Sequence, residues 1–251
     1  MKLYKYTSAK WALEFLRTRE LKVTTLEDTN DPDEWVPYRM DSDGRDYLAD
    51  PRCREQFRKN VGAKYGFISL SSQMDNNVMW GHYADKFKGI VLEFETQQQA
   101  KIQPVTYQQT RYVLREGTSY RDGEHLELIA RKGNEWAYEA EWRCFVDINS
   151  CRAVKNPSDK IIYLFPAEPH LVLTGIILGP ECHHTFMDII PYVESMWTSR
   201  DIIVRRMVHD SLTFALRVSK ELSFKALCNE VTSHNINLTY RTEIVPLTRT
   251  E

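Results

Sequence analysis

The sequence predicts an α+β domain whose core is a mixed, largely antiparallel sheet flanked by helices. Three observations carry this expectation. Apolar residues alternate with period two over many short segments, as in strands that bury one face. Helical periodicities interrupt these segments without the regular strand–helix–strand order of a parallel fold. No Pro-, Gly- or Ser-rich linker divides the 251 residues, so residues 1–251 read as a single domain.

Lys2 to Tyr6 reads as the first strand. Ser8 stands at an N-cap, and Ala12, Phe15 and Leu16 behind it predict a helix over 9–19. Leu21 to Thr25 reads as a second strand. Residues 27 to 46 hold eight acidic residues together with Pro32 and Pro37, and read as a solvated loop. A helix is expected over 52–61. Tyr65 to Ser71 is a strand with Gly66, Ile68 and Leu70 on one face and Tyr65, Phe67, Ser69 and Ser71 on the other.

Trp80, Tyr83, Ala84 and Phe87 predict a helix over Asn76 to Phe87. Strands follow at Lys88–Phe94 and Val105–Tyr107, then a helix over 125–132 and a strand over Glu139–Asp147. Later strands are Lys160–Phe165, Leu171–Leu178, Asp201–Val208 and Leu212–Val218, with a helix over Phe186–Trp197 and a last strand near Leu238.

Composition bounds the function. The chain is 42% hydrophobic, 12% aromatic and 27% charged, enough to bury a continuous core. Lys and Arg number 33 against 35 Asp and Glu, a net charge of −2 that excludes a global field toward nucleic acid or anionic lipid. The five cysteines are an odd count without C-x-x-C spacing, which fits neither a disulfide framework nor a zinc knuckle. Cys182-His183-His184 lacks the second ligand pair of a metal site. The N-terminus has no apolar signal core, and Leu171–Leu178 is too short to span a bilayer. The expectation is a cytoplasmic protein with reduced thiols and no membrane partner. G-x-G-x-x-G, Walker and G-x-S-x-G motifs are missing, which removes the dinucleotide-fold dehydrogenases, P-loop enzymes and α/β-hydrolases.

The sharpest local pattern is Trp136-Ala137-Tyr138-Glu139-Ala140-Glu141-Trp142-Arg143-Cys144-Phe145. With period two, Ala140, Trp142, Cys144 and Val146 form a core face, while Glu139, Glu141, Arg143 and Phe145 share the other. Carboxylates at i and i+2 lie about 7 Å apart on one side of a strand, room for a catalytic carboxylate beside a helper. The same residues also fit a solvated face with an Arg–Glu cross-strand pair. Trp136 and Tyr138, just before the strand, point to a partly enclosed cleft in which a planar ligand stacks.

Ser69-Leu70-Ser71 aims two hydroxyls the same way and equally suits a strand-end cap. Lys5 stands between Tyr4 and Tyr6, and a single lysine on a strand is usually an edge charge. His82 lies roughly 150° from the centre of its helix's apolar stripe, so it faces away from Trp80, as a phosphate donor or an ordinary exposed histidine. The pairs Asp31-x-Asp33 and Asp41-x-Asp43 suit a divalent cation as well as a solvated loop.

Leu3-Tyr4-Lys5-Tyr6, Asn30-Asp31-Pro32, Ser69-Leu70-Ser71, Met79-Trp80-Gly81-His82-Tyr83-Ala84, Lys88-Gly89, Trp136 to Arg143 and Ile177-Leu178-Gly179 occur in that order. Together they resemble the bacterial family called domain of unknown function 2971, over residues 3 to about 180. Residues 185–251 have no counterpart in that resemblance. More distantly, the chain is similar to the ADP-ribosyltransferase fold. That fold carries a basic residue on its first strand, a Ser-Thr-Ser-like strand in the middle and a Glu-x-Glu or Gln-x-Glu strand later.

This second resemblance implies split sheets, NAD as substrate, and a bacterial toxin, stress or phage-defence role. Glu141 matches the catalytic glutamate, and Glu139, two residues before it, serves the acceptor nucleophile. Ser69 and Ser71 match the middle-strand hydroxyls. Lys5 stands where the fold has Arg or His. Tyr6, His82, Tyr83, Tyr138 and Arg143 complete the nucleotide-binding set, with the acceptor a protein, a nucleic acid or water.

Two other readings stand beside it. One is a metal-dependent nuclease or phosphodiesterase using Asp31 and Asp33 with Glu139 and Glu141. The other is a non-catalytic ligand-sensing or interaction module. The NAD reading has a geometric consequence: Lys5, Ser69 and Glu141 must converge on one cleft, on strands lying side by side.

Overall fold

An eight-stranded sheet organises the chain, which a computed structural model describes at residues 1–31, 33–34, 37–39, 45–62, 64–114, 130–156, 158–194 and 201–226. Its strands are β1 (Lys2–Thr7), β2 (Tyr65–Ser71), β3 (Ile90–Thr96), β4 (Ile102–Pro104), β5 (Glu141–Asp147), β6 (Leu171–Leu178), β7 (Ile203–His209) and β8 (Leu216–Ser223). They lie in the order β8-β7-β6-β3-β1-β2-β5-β4. Every neighbouring pair is antiparallel except β6 and β7. The protein is thus a mixed α+β structure with a mostly antiparallel sheet, as the strand periodicity predicts.

Helices cover both faces of the sheet. On one, α1 (Ala9–Thr18) and α4 (Phe186–Glu194) bury Ala12, Phe15, Ile189 and Val193 against Leu3, Ile68, Leu92 and Phe94. Ser8 starts α1 by accepting the Trp11 N–H. On the other, α3 (Asn77–Tyr83) lays Met79 and Trp80 on Tyr6, Val91, Ile177 and Met207. Burial from both sides explains why Ile90–Leu92 and Ile176–Leu178 read as continuous apolar runs. The helix α2 (Pro51–Gly62) flanks β2.

A second sheet of three strands, Glu20–Lys22, Ile161–Pro166 and Arg152–Lys155, stands beside the first. The main sheet splits where the two meet. β1 and β2 pair only at Tyr4 opposite Ser71. At the far end of β2, Thr24 takes the neighbouring position, exchanging both backbone hydrogen bonds with Phe67 at 2.8 and 3.0 Å.

Several expected elements change at their ends. α3 stops at Tyr83, because the chain must reverse to pair β3 with β1. Asp85, Lys86 and Phe87 take left-handed conformations there (φ 48°, 53° and 69°). A Cβ on Gly89 would lie 2.2 Å from the Thr7 oxygen, so only glycine permits this return. Phe87 still packs beside Trp80, as its spacing predicts.

The strand expected from Glu139 begins at Glu141, preceded by a 3-10 helix over Asn134–Glu139. The strand expected at Leu21–Thr25 is shorter, Glu20–Lys22, the one expected at Val105–Tyr107 lies at Thr106–Gln108, and β4 forms where no strand is expected. The helix expected over 125–132 lies mostly outside the described residues, and its last two residues, Arg131 and Lys132, instead begin the strand Arg131–Gly133, which pairs with Thr106–Gln108. The helix expected to reach Trp197 is described to Glu194, and the strand expected at Leu212 starts at Leu216 after a turn. The acidic loop is not uniformly solvated: Asp31 is 8% exposed and Glu34 only 2%. Asp41, Asp43 and the strand near Leu238 lie outside the described residues. No helix among the described residues is long and apolar enough to cross a membrane.

Candidate active site

Three adjacent strands make the floor of a cleft of about 230 Å³. In β5, Glu141 and Arg143 sit opposite Ser71 and Ser69 of β2, and Ser71 in turn faces Tyr4 of β1. Period-two alternation puts all of these side chains on the α3 side of the sheet. Lys5, opposite Leu92, starts from the other face. It reaches the cleft through the split, where its Nζ donates to the Ser69 carbonyl at 3.0 Å. That carbonyl lies between the Tyr4 and Thr24 pairings, so the lysine satisfies it. Burial lowers the Lys5 pKa to about 8, against the opposing pull of Glu141.

Glu141 is saturated with donors. Its Oε1 accepts from the Ser69 hydroxyl at 2.6 Å and from Arg143 Nε at 3.0 Å. Its Oε2 accepts from Arg143 Nη2 at 2.9 Å and lies 3.1 Å from Lys132 Nζ. Burial alone would raise its pKa; Arg143, then Lys132, outweigh burial and bring it to about 2.

Glu139 reaches the same cluster by another route than alternation. The 3-10 helix ends at Ala140, whose left-handed φ of 43° turns the chain into β5. The Ser71 hydroxyl donates to the Glu139 carbonyl at 2.7 Å and fixes this turn. The Glu139 carboxylate then accepts from Tyr83 Oη on one oxygen and from Lys132 at 2.6 Å on the other. Asn30 donates to the same Tyr83 oxygen at 2.8 Å. Glu34 closes the cluster as a second carboxylate on Arg143. Its pKa is raised by burial, with Arg143 opposing.

Eight of the ten residues singled out from sequence line this cleft: Lys5, Tyr6, Ser69, Ser71, Tyr83, Glu139, Glu141 and Arg143. His82 and Tyr138 do not. His82 is exposed on the outer side of α3, 3.4 Å from the Tyr138 hydroxyl, because the helix turns its own face away from the floor. Tyr138 ties the 3-10 helix to α3 through its carbonyl, which accepts from Asn76 at 2.8 Å. Trp80 belongs to the core. Trp136 faces a neighbouring cleft.

Lys132, Glu34, Asn30 and Tyr107, whose hydroxyl accepts the Glu141 N–H at 2.8 Å, were not singled out as site residues. The one sequence signal for them was the placing of Asn30 in a motif of the family resemblance.

The arrangement does not favour a cation between the carboxylates, since Lys132 and Arg143 already hold those places. Asp31 accepts the Asp33 N–H, and Asp33 pairs with Arg54 and Arg111. Among the described residues no group of three or more His, Cys, Asp or Glu is spaced to hold a metal ion. No protein-family model, curated protein or solved structure matches the chain.

Proposed function

We propose that this chain cleaves NAD at the nicotinamide–ribose bond, as an ADP-ribosyltransferase or NAD glycohydrolase with an ADP-ribosyltransferase-like split-sheet fold. Kinship with the bacterial family of domain of unknown function 2971 is part of the same reading. The observation that supports it is a convergence. Lys5, Ser69 and Glu141 come from distant parts of the chain, yet are linked by hydrogen bonds of 3.0 and 2.6 Å on neighbouring strands.

The chemistry follows from the cluster. Breaking the glycosidic bond builds positive charge on the ribose, as in glycoside hydrolysis. Glu141 keeps its negative charge within a buried site, where that charge acts strongly on a developing sugar cation. A ribose hydroxyl takes over the position of the Ser69 hydroxyl on Oε1. Glu139, held by Tyr83 and Lys132, receives the proton of the attacking acceptor. The acceptor is a protein, a nucleic acid or water.

The test is NAD consumption by the purified protein and by Glu141→Gln, with unfolding curves showing both folded. A loss of about 100-fold or more is expected, the scale for removing a transition-state charge partner. Equal turnover removes Glu141 from the reaction, and no consumption by the wild type removes the enzymatic reading. The four donors on Glu141 also favour a second reading, a ligand-sensing module with a structural charge cluster. That reading expects NAD to bind and remain intact.

A further inference from the structure

A second cleft, of about 300 Å³, adjoins the first. Glu34 and Lys132 line both, so these two side chains stand between them. The acidic segment runs along both rims, with Asp28, Thr29 and Asn30 on the first and Asp31 and Asp33 on the second. At about 230 and 300 Å³ the two clefts lie below and at the lower end of the roughly 300–1,000 Å³ of small-ligand pockets, small for a whole dinucleotide each.

The first cleft sets Glu139 and Glu141 among the hydroxyls of Ser69, Ser71 and Tyr83, suited to a sugar and its developing charge. The second offers the aromatic rings of Trp136 and Tyr112, the latter with the Arg131 guanidinium 4.8 Å from its centroid. Aromatic rings next to a cation are the ordinary means of holding a base and its phosphate. Lys132 joins the two, its Nζ 5.2 Å from the Trp136 ring centroid and 2.6 Å from Glu139.

We propose that the second cleft seats the adenylate half of the dinucleotide whose nicotinamide riboside half occupies the first; the identity of the whole ligand rests on the NAD reading above. The base lies against Trp136 and Tyr112, and the pyrophosphate crosses the wall at Lys132. Glu34 opposes that crossing while paired with Arg143. Its carboxylate therefore gives way to the phosphates, and only a ligand that spans both clefts meets it.

Binding of AMP, nicotinamide mononucleotide and NAD is measured calorimetrically on the full chain, on Trp136→Ala and on Glu34→Gln. Trp136→Ala is expected to weaken AMP and NAD about 10-fold, the scale of a lost base stack, and to leave nicotinamide mononucleotide unchanged. Glu34→Gln is expected to tighten NAD more than either half. In the wild type, where no substitution can disturb folding, AMP is expected to shift the amide resonances of residues 108–112 and 131–136. Nicotinamide mononucleotide shifts those of 69–71 and 141–143.

The proposal is overturned if Trp136→Ala weakens the mononucleotide as much as AMP, or if millimolar AMP leaves 108–112 and 131–136 unmoved. NAD turnover with an unchanged KM in Trp136→Ala overturns it while the NAD reading survives. AMP held in the second cleft through Trp136, with NAD and nicotinamide mononucleotide ignored, upholds an adenylate site and removes the NAD reading instead.

Discussion

Arg143 is the residue on which the cleft turns. It is fully buried, and its guanidinium meets the carboxylates of Glu34 and Glu141. Removing one member of a buried ion pair leaves an uncompensated charge, which costs about 3–5 kcal/mol. Arg143→Gln is therefore expected to lose that much in urea unfolding. Glu34→Gln combined with Glu141→Gln and Arg143→Met, which removes the charges together, is expected to lose less. If the triple variant is no more stable than Arg143→Gln alone, the carboxylates do not depend on this guanidinium.

Lys5 gives a prediction in pH. Its folded-state pKa, about 8, lies below the ordinary 10.5. Between those values the unfolded chain holds a proton that the folded chain has released, so stability rises with pH across that window. Wild-type protein should gain stability relative to Lys5→Met as pH increases from about 8 toward 10, read from paired denaturation curves. A constant difference between the two proteins would show that Lys5 titrates as an ordinary surface lysine. Glu141 acts in the opposite range. Its depressed pKa contributes stability above the usual carboxylate value, which is lost as pH falls toward about 2.

Among elements, the 3-10 segment before β5 decides whether Glu139 enters the site. Alternation from Glu141 back to Glu139 predicted the right neighbour for the wrong reason. The strand does not extend that far, and the left-handed Ala140 with the Ser71–Glu139 bond aims the carboxylate instead. An L-residue other than glycine or asparagine in this conformation costs about 1–2 kcal/mol, partly offset by glycine's extra freedom when unfolded. Ala140→Gly is expected to be neutral or stabilising by up to about 1 kcal/mol, whereas Ala140→Val destabilises, both by chemical denaturation. A stabilising valine would mean that the turn is not left-handed.

The same segment shows what was legible. Glu141, Arg143, Ser69 and Ser71 were readable because period two within a strand is a local property. Lys132 and Glu34 were not. Glu34 finds its cation 109 residues away, a pairing that no local pattern encodes, and Lys132 ends a stretch, 125–132, whose residues read as helical.

Across the whole molecule, the class of fold followed from periodicity, but the split did not. It depends on where the 20–24 segment crosses between sheets, with Val23 donating to Tyr163 and Thr24 to Phe67. The cleft therefore lies on a boundary between unequal parts. The strands β3 and β6 are almost wholly buried at Ile90–Phe94 and Ile176–Leu178, while Arg152–Lys155 in the small sheet is largely exposed. Local opening is easiest where few apolar contacts are broken, and buried central strands exchange only through global unfolding. Native-state hydrogen exchange should thus place Val91, Leu92, Ile176 and Ile177 among the slowest amides and those of 152–155 among the fastest. The backbone of 23–24 and 67–69 is expected between them, and a ligand bridging the cleft should slow those amides most, because it ties the β1 side of the split to the β2–β5 side. If the amides of 152–155 exchange as slowly as those of β3, the two sheets open as one unit and the split is no boundary at all.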